Sequence, residues 1–309
     1  MFLNIAYINR VNIASLNGSE GTGGNLTAMK KISNYNGDEF AYVSGQALRR
    51  YIKETLMQLG EKISEVNESG EPTFRDEKGK YINLNSKWKD DLRDRVFKEY
   101  CDLDLFGYMF PKGARRWSPI KVTPMISILA YKGEYDYLTR KQKPKKEGEK
   151  SGNIVQIEID TLNFMRGNII VNLEHIGSIV DEYNYDITPI LSEEERRKRV
   201  NVFIDSIKYL NGGAKQSRNL EDISPKFVIA IKQKTGNPFL LNALLVDKDR
   251  NINIEIIKDA ISNSGIDEKT ISIGIAKGSF ANEQIIRDSF SNVTSVSNAL
   301  ESLKENESN

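Results

Sequence analysis

The chain has one cysteine, one histidine, two tryptophans and eight prolines in 309 residues. A single cysteine, Cys101, excludes an intrachain disulfide and fits a reducing compartment. Because His175 is equally solitary, zinc sites built from Cys and His ligands are excluded as well. Net charge is also missing: 44 Lys and Arg against 43 Asp and Glu leave +1. Affinity for nucleic acid would have to come from local patches, because the summed field steers nothing. No run approaches the roughly 18 apolar residues that a membrane helix needs. The opening Met1–Arg10 lacks the basic start of a signal peptide, and Asn4 and Asn9 interrupt its apolar residues. The expectation is a soluble, cytoplasmic protein that contacts no membrane.

What the chain does have is enough apolar content, 39%, to bury a sizeable core. Residues 2–14 alternate loosely and predict a half-buried strand with a polar face. A glycine-rich turn, Gly21–Asn25, and the basic pair Lys30 and Lys31 follow. A helix is predicted next, with Ser44 as its N-cap and Gly60 as its stop. At about 100° per residue, Gln46, Arg49, Arg50 and Lys53 share one face, and Leu48, Ile52, Leu56 and Leu59 the opposite one. The cationic arc has no interposed acid, so it is built to meet a phosphate backbone or, on the plainer reading, only water.

Residues 61–85 are polar, and 86–100 read as a second helix. An aromatic passage, 103–111, leads to Arg115-Arg116-Trp117, where guanidinium and indole groups are both good stacking partners for bases. Residues 120–131 read as a strand that Pro119 and Pro124 push towards an edge. The lysine-rich stretch 140–150 reads as a tether. Two strands, 154–162 and 168–173, are predicted around a turn at Arg166-Gly167. A strong helix over 193–210 opens with the capping box Ser192/Glu195, and its cluster Arg196–Arg199 is expected to pair with the three preceding glutamates. Gly212-Gly213 ends it. The next loop carries Lys215, Gln216 and Arg218 around an apolar Leu220, either a clamp on a nucleic-acid strand or an ordinary connection. A strand over 227–231, a helix over 252–263 and a strand over 270–276 precede an end expected to fray beyond Ser291.

Without its middle, the order is strand, helix, strand, strand, helix, strand. That predicts an α+β, ferredoxin-like fold of the kind RNA-recognition domains use. Catalysis finds little footing. His175 comes with neither a cysteine nucleophile nor a recognisable serine elbow, and the carboxylates form no recognisable acid/base or two-metal pattern. No cofactor and no metal site is expected.

Gly23-Gly24-Asn25, then Tyr42-Val43-Ser44-Gly45-Gln46-Ala47-Leu48-Arg49-Arg50, and later Gly213-Ala214-Lys215-Gln216 together carry a family resemblance. They resemble the backbone subunit of type I CRISPR Cascade complexes, family seven, in its DevR/Cst branch associated with type I-B systems. The resemblance spans about residues 1–60 and 150–235. It implies an antiviral-defence role: a subunit with an RRM-like palm (1–60 and 151–309), an inserted, mostly helical fingers region (61–150) and a thumb loop at about 212–222. Copies would stack head to tail as a helical filament along crRNA and present it to target DNA. The other partners implied are pre-crRNA-processing, large and small subunits and a recruited helicase–nuclease.

The candidate RNA-binding residues are Asn25, Lys30, Ser44, Gln46, Arg49, Arg50, Lys53, Arg115, Arg116, Arg166, Lys215, Gln216 and Arg218. Leu220, and Phe164 or Met165, are the candidate wedges beside a displaced nucleotide. Related type III subunits cut RNA with an aspartate in the loop before the first helix, whereas residues 21–37 here contain no Asp or Glu. The expectation is a non-catalytic scaffold; the alternatives are a metal-dependent ribonuclease and a DNA-binding autoregulator.

Overall fold

The structure is a computed structural model. It describes residues 1–18, 26–68, 70, 72–75, 78–79, 81–82, 90–109, 115–140, 153–181, 183–214, 216–217 and 219–305. The first strand, Phe2–Ala14, lies at the centre of a large mixed sheet. It pairs antiparallel with Asn153–Asn172 on one side and with Pro225–Gln233 on the other. Beyond Asn153–Asn172 the sheet continues through Met125–Ser127, Glu39–Val43 and Lys31–Ser33. Beyond Pro225–Gln233 it continues through Ser272–Ile275 and the short parallel strand Val293–Thr294.

Being central changes what the first strand must be. Leu3, Ile5 and Tyr7 pack on one side under the helices α1 (Gly45–Gln58) and α4 (Glu193–Lys208). Ala6 and Ile8 pack on the other, under α5 (Ile254–Ser264) and α6 (Glu283–Ser289). The expected polar face therefore does not exist over its first half: Asn4 and Asn9 are completely buried. Asn4 Nδ2 donates to Gln233 Oε1 at 3.2 Å, and Asn168 Nδ2 donates to Asn4 Oδ1 at 2.8 Å, an amide row across three strands. Buried amides are retained because each finds a partner in its neighbour.

The predicted pair of strands at 154–162 and 168–173 is one strand of 20 residues. Gly167 makes no turn there. Tyr7 lies so close opposite that any side chain at 167 would collide with its ring, and glycine is what lets the strand run through. The strand that completes the inner sheet comes from the expected insertion. Ile120–Val122 and Met125–Ser127 both pair with the long strand, and Met125–Ser127 has Glu39–Val43 on its other side, so it is no edge.

Between α1 and Ile120, α2 (Asp90–Glu99) and α3 (Cys101–Phe106) stand beside short hairpins. The C-terminal end does not fray at Ser291. α7 (Val296–Glu301) buries Ala299 and Leu300, and Leu303 follows them into the core that α1 and α4 share. Lys304 then pairs with Asp205 at 2.8 Å. Among the described residues no helix is long and apolar enough to cross a membrane.

Candidate nucleic-acid interface

Helix α1 begins where three segments meet. The Ser44 side chain accepts the Ala47 N–H at 3.2 Å, capping the first turn as its sequence predicts. Gly45 is needed because a Cβ there would stand 2.9 Å from the Val122 carbonyl oxygen. Asn17 Oδ1 accepts the Ser44 N–H at 3.0 Å, and the Asn17 carbonyl accepts the Lys30 N–H at 2.8 Å. The exposed Lys30 is thereby held beside the helix start. Leu48, Tyr51, Ile52, Thr55 and Leu56 form the buried stripe. Each fully buried large apolar side chain contributes roughly 1.5–3 kcal/mol, which fixes the rotation of the helix and hence which residues face out.

The four residues of the predicted cationic arc meet different fates. Gln46 is exposed. Arg50 is also exposed but pairs with Glu54 four residues on, at 2.9 Å, so the arc does contain an intrahelical partner. Lys53 is not available to a ligand: its ammonium lies 2.8 Å from Asp102 Oδ2, a carboxylate with no solvent exposure that also accepts from Ser64. Arg49 is the reverse case. It is half-buried, and its Nε is shielded from solvent without a hydrogen-bond partner among the described residues. Burial holds its guanidinium below the usual arginine range.

The loop expected to be a thumb lies next to this helix. Tyr51 of α1 donates its hydroxyl proton to the Leu16 carbonyl, and Gly212 sits flat against the Tyr51 ring, where a Cβ would collide. The loop is tied at both ends, by the bridges Ser15–Ala214 and Asn211–Asp222. Glu221 binds back to the first strand, accepting from Asn12 Nδ2 at 3.0 Å and from the backbone of Asn12 and Ile13. Gln216 is half-buried and Leu220 is 78% exposed, so Leu220 is an apolar tip in reach of solvent. Asn25, Lys215 and Arg218 lie outside the described residues.

Several other predicted contacts are corrected. Phe164 is 3% exposed and stacked on Phe280 with ring centroids 5.3 Å apart; Met165 is fully buried in the opposite core, so neither can wedge between bases. Arg166 follows the Phe164 side of the strand, away from α1, where its Nη1 meets the carbonyls of Asn242 and Leu244 at 3.4 and 3.5 Å. Arg116 is structural: its guanidinium binds Asp104 Oδ1, the Ser178 carbonyl and the His175 carbonyl, each at 2.6 Å. Arg199 reaches the other oxygen of Asp104 at 2.8 Å, and Arg196 donates to the Ile176 carbonyl. Within the basic cluster on α4, Arg197 faces a glutamate of the preceding turn, Glu193 at 3.8 Å. Arg115 is exposed on the hairpin formed with Tyr108–Met109.

Glu134–Arg140 pairs with Asn153–Ile159 as a hairpin, and Tyr135 and Tyr137 on it are 45% and 56% exposed. The alternation Tyr135-Asp136-Tyr137 was its available signal. Among the described residues no group of three His, Cys, Asp or Glu side chains stands close enough to hold a metal ion.

A sequence profile described as "CRISPR-associated negative auto-regulator DevR/Csa2" matches residues 5–248. No curated protein matches the chain. Among solved structures, one described as "CRISPR RNA-guided surveillance complex, pre-nicking" is similar over 98% of this chain and 99% of its own, with a TM-score of 0.62 at 13% identity. Another, "CRISPR RNA-guided surveillance complex", covers 98% of each chain with a TM-score of 0.54 at 15% identity.

Proposed function

The chain belongs to the CRISPR-associated DevR/Csa2 family, and from that membership we propose that it is the crRNA-binding backbone subunit of a type I-B-like surveillance complex. Its role on this reading is a scaffold that polymerises along the guide and does not cut. The observation that carries the reading is Arg49: a half-buried guanidinium without a carboxylate partner among the described residues, between the exposed Gln46 and Arg50 on the first turns of α1. An unpaired, partly desolvated cation gains more from a phosphate than a hydrated one does.

On this reading the guide's phosphates follow Lys30, Gln46, Arg49 and Arg50, and the Gly212 loop forms the second wall with Leu220 as its apolar tip. The inner sheet supports a ferredoxin-like palm. Its strands, taken in chain order as Phe2–Ala14, Ile120–Ser127, Asn153–Asn172 and Pro225–Gln233, lie side by side as fourth, first, third, second, all antiparallel. The fingers then run from Glu61 to about Pro119. The hairpin carrying Tyr135 and Tyr137 is a better thumb than the Gly212 loop, since it extends past the inner sheet while that loop is tied at both ends.

The absence of Asp and Glu from residues 21–37 supports a non-catalytic role. The test is the double variant Arg49→Glu/Arg50→Glu, purified from cells that express the guide. Loss of co-purifying small RNA, with an unchanged thermal melt, is the expected result. Guide RNA retained at the wild-type ratio would overturn it, and periodic cleavage of a complementary RNA by the assembled protein would overturn the scaffold role.

A further inference from the structure

A cleft separate from the α1 surface opens where Arg115–Trp117 passes the segment His175–Asp181. It holds about 570 Å³, counting space open to solvent. Its enclosed part is only about 80 Å³, so a ligand would lie across the open mouth, against the exposed Trp117, rather than inside. Its walls combine two chemistries. Phe97, Tyr108 and Trp117 supply aromatic surface, and Arg93, Arg115 and Arg116 supply guanidinium groups. Trp117 is 58% exposed, an unusual state for an indole that closes a pocket, whereas Tyr108 is buried.

The floor is rigid. Arg116 lies with its guanidinium carbon 4.5 Å from the Phe97 ring centroid, and its donors are held by Asp104, His175 and Ser178. His175 lines the same cleft, and burial followed by the nearby Arg116 charge holds its imidazole below the usual histidine range. It is therefore neutral at pH 7, with one donor and one acceptor to offer.

We propose that this cleft is a nucleotide seat: one base of a single-stranded nucleic acid stacks on Trp117, and its phosphate faces Arg115. Aromatic walls recognise any base through its π-face, and a guanidinium beside them supplies the anion contact. The inference rests on the proposed function in taking nucleic acid as the ligand, but it involves none of the α1 residues.

Trp117 fluorescence, followed in a Trp88→Phe background, provides the test. Adenosine 5′-monophosphate and ten-nucleotide RNA and DNA of one sequence are titrated in turn. Each is expected to quench Trp117, and the preferred oligonucleotide identifies whether the seat serves RNA or DNA. Trp117→Ala should weaken oligonucleotide binding about five- to a hundred-fold, the range associated with losing one base–aromatic stack, with circular dichroism unchanged. The variant Arg49→Glu/Arg50→Glu should keep the monophosphate quenching. No quenching at millimolar monophosphate, or unchanged oligonucleotide affinity when Trp117→Ala is added to Arg49→Glu/Arg50→Glu, overturns the seat. Quenching that persists in a protein that never co-purifies with guide RNA leaves the seat standing and defeats the proposed function instead.

Discussion

Two groups of cations stand close together in this chain, and they are used in opposite ways. Lys53, Arg116 and Arg199 surround helix α3, which carries Asp102 and Asp104 at 0% and 1% exposure. Arg49 and Arg50, one turn before Lys53, face no buried carboxylate. The first group is spent on structure, tying the insertion to α1 and α4; the second has no buried acid to hold it. On α1 itself, Lys53 and its neighbours Arg49 and Arg50 thus divide by whether a buried acid faces them. A charge count cannot see that division.

Removing an acid from the first group is the strongest way to break the contrast. Asp104→Asn leaves Arg116 and Arg199 with only carbonyl partners, and stability should fall by about 3–5 kcal/mol, read by urea unfolding. A loss under about 1 kcal/mol would mean those arginines are not committed to the fold. Lys53→Met should cost about 2 kcal/mol, because Asp102 keeps only its Ser64 bonds. It should leave RNA affinity unchanged, so weakened RNA binding in a folded Lys53→Met protein would return Lys53 to the interface.

Arg49→Ala should do the reverse. Stability should move by less than about 0.5 kcal/mol, since no partner among the described residues is lost. The slope of log affinity against log salt should become shallower by about 0.7, one phosphate contact on a single strand. Arg50→Ala should cost no more than about 0.5 kcal/mol, the worth of an exposed helical pair.

The smallest effect is pH-dependent. His175 has a folded pKa below its ordinary 6.5, chiefly through burial. The unfolded chain therefore takes up its proton first, and stability should fall as pH drops from 6.5 towards the folded value. His175→Gln should remove that component, seen by comparing unfolding curves of the two proteins at pH 7.5 and 5.5.

Much of this was legible in the sequence, for local reasons. The Ser44 cap and the Ser192/Glu195 capping box depend on residues three apart, and both form as read. The apolar stripe of α4 follows from periodicity, and so does that of α1 except at its end, where Leu59 is the exposed C-cap and Tyr51 and Thr55 join the buried side instead. What escaped was non-local. Asp104 meets Arg199 across 95 positions and Asp102 meets Lys53 across 49, and no spacing rule relates such pairs. Likewise Phe164 and Met165, each named as a wedge through the family resemblance, are both buried, on opposite faces of one strand that runs through the turn expected at Gly167. Only the approach of Tyr7 from the neighbouring strand explains that glycine.

The amide row through Asn4, Asn168 and Gln233 has a consequence for alignment. In a strand buried on one face only, slipping by one residue would turn apolar side chains into water, so hydrophobicity alone rejects the error. The first strand is apolar on both faces from Leu3 to Ile8, and that penalty is largely lost. A one-residue slip would instead separate Asn4 from Asn168 and Gln233 and leave buried amides unpaired in a site of low polarity. The polar residues in the middle of the sheet thus act as its ruler, penalising every alignment but one.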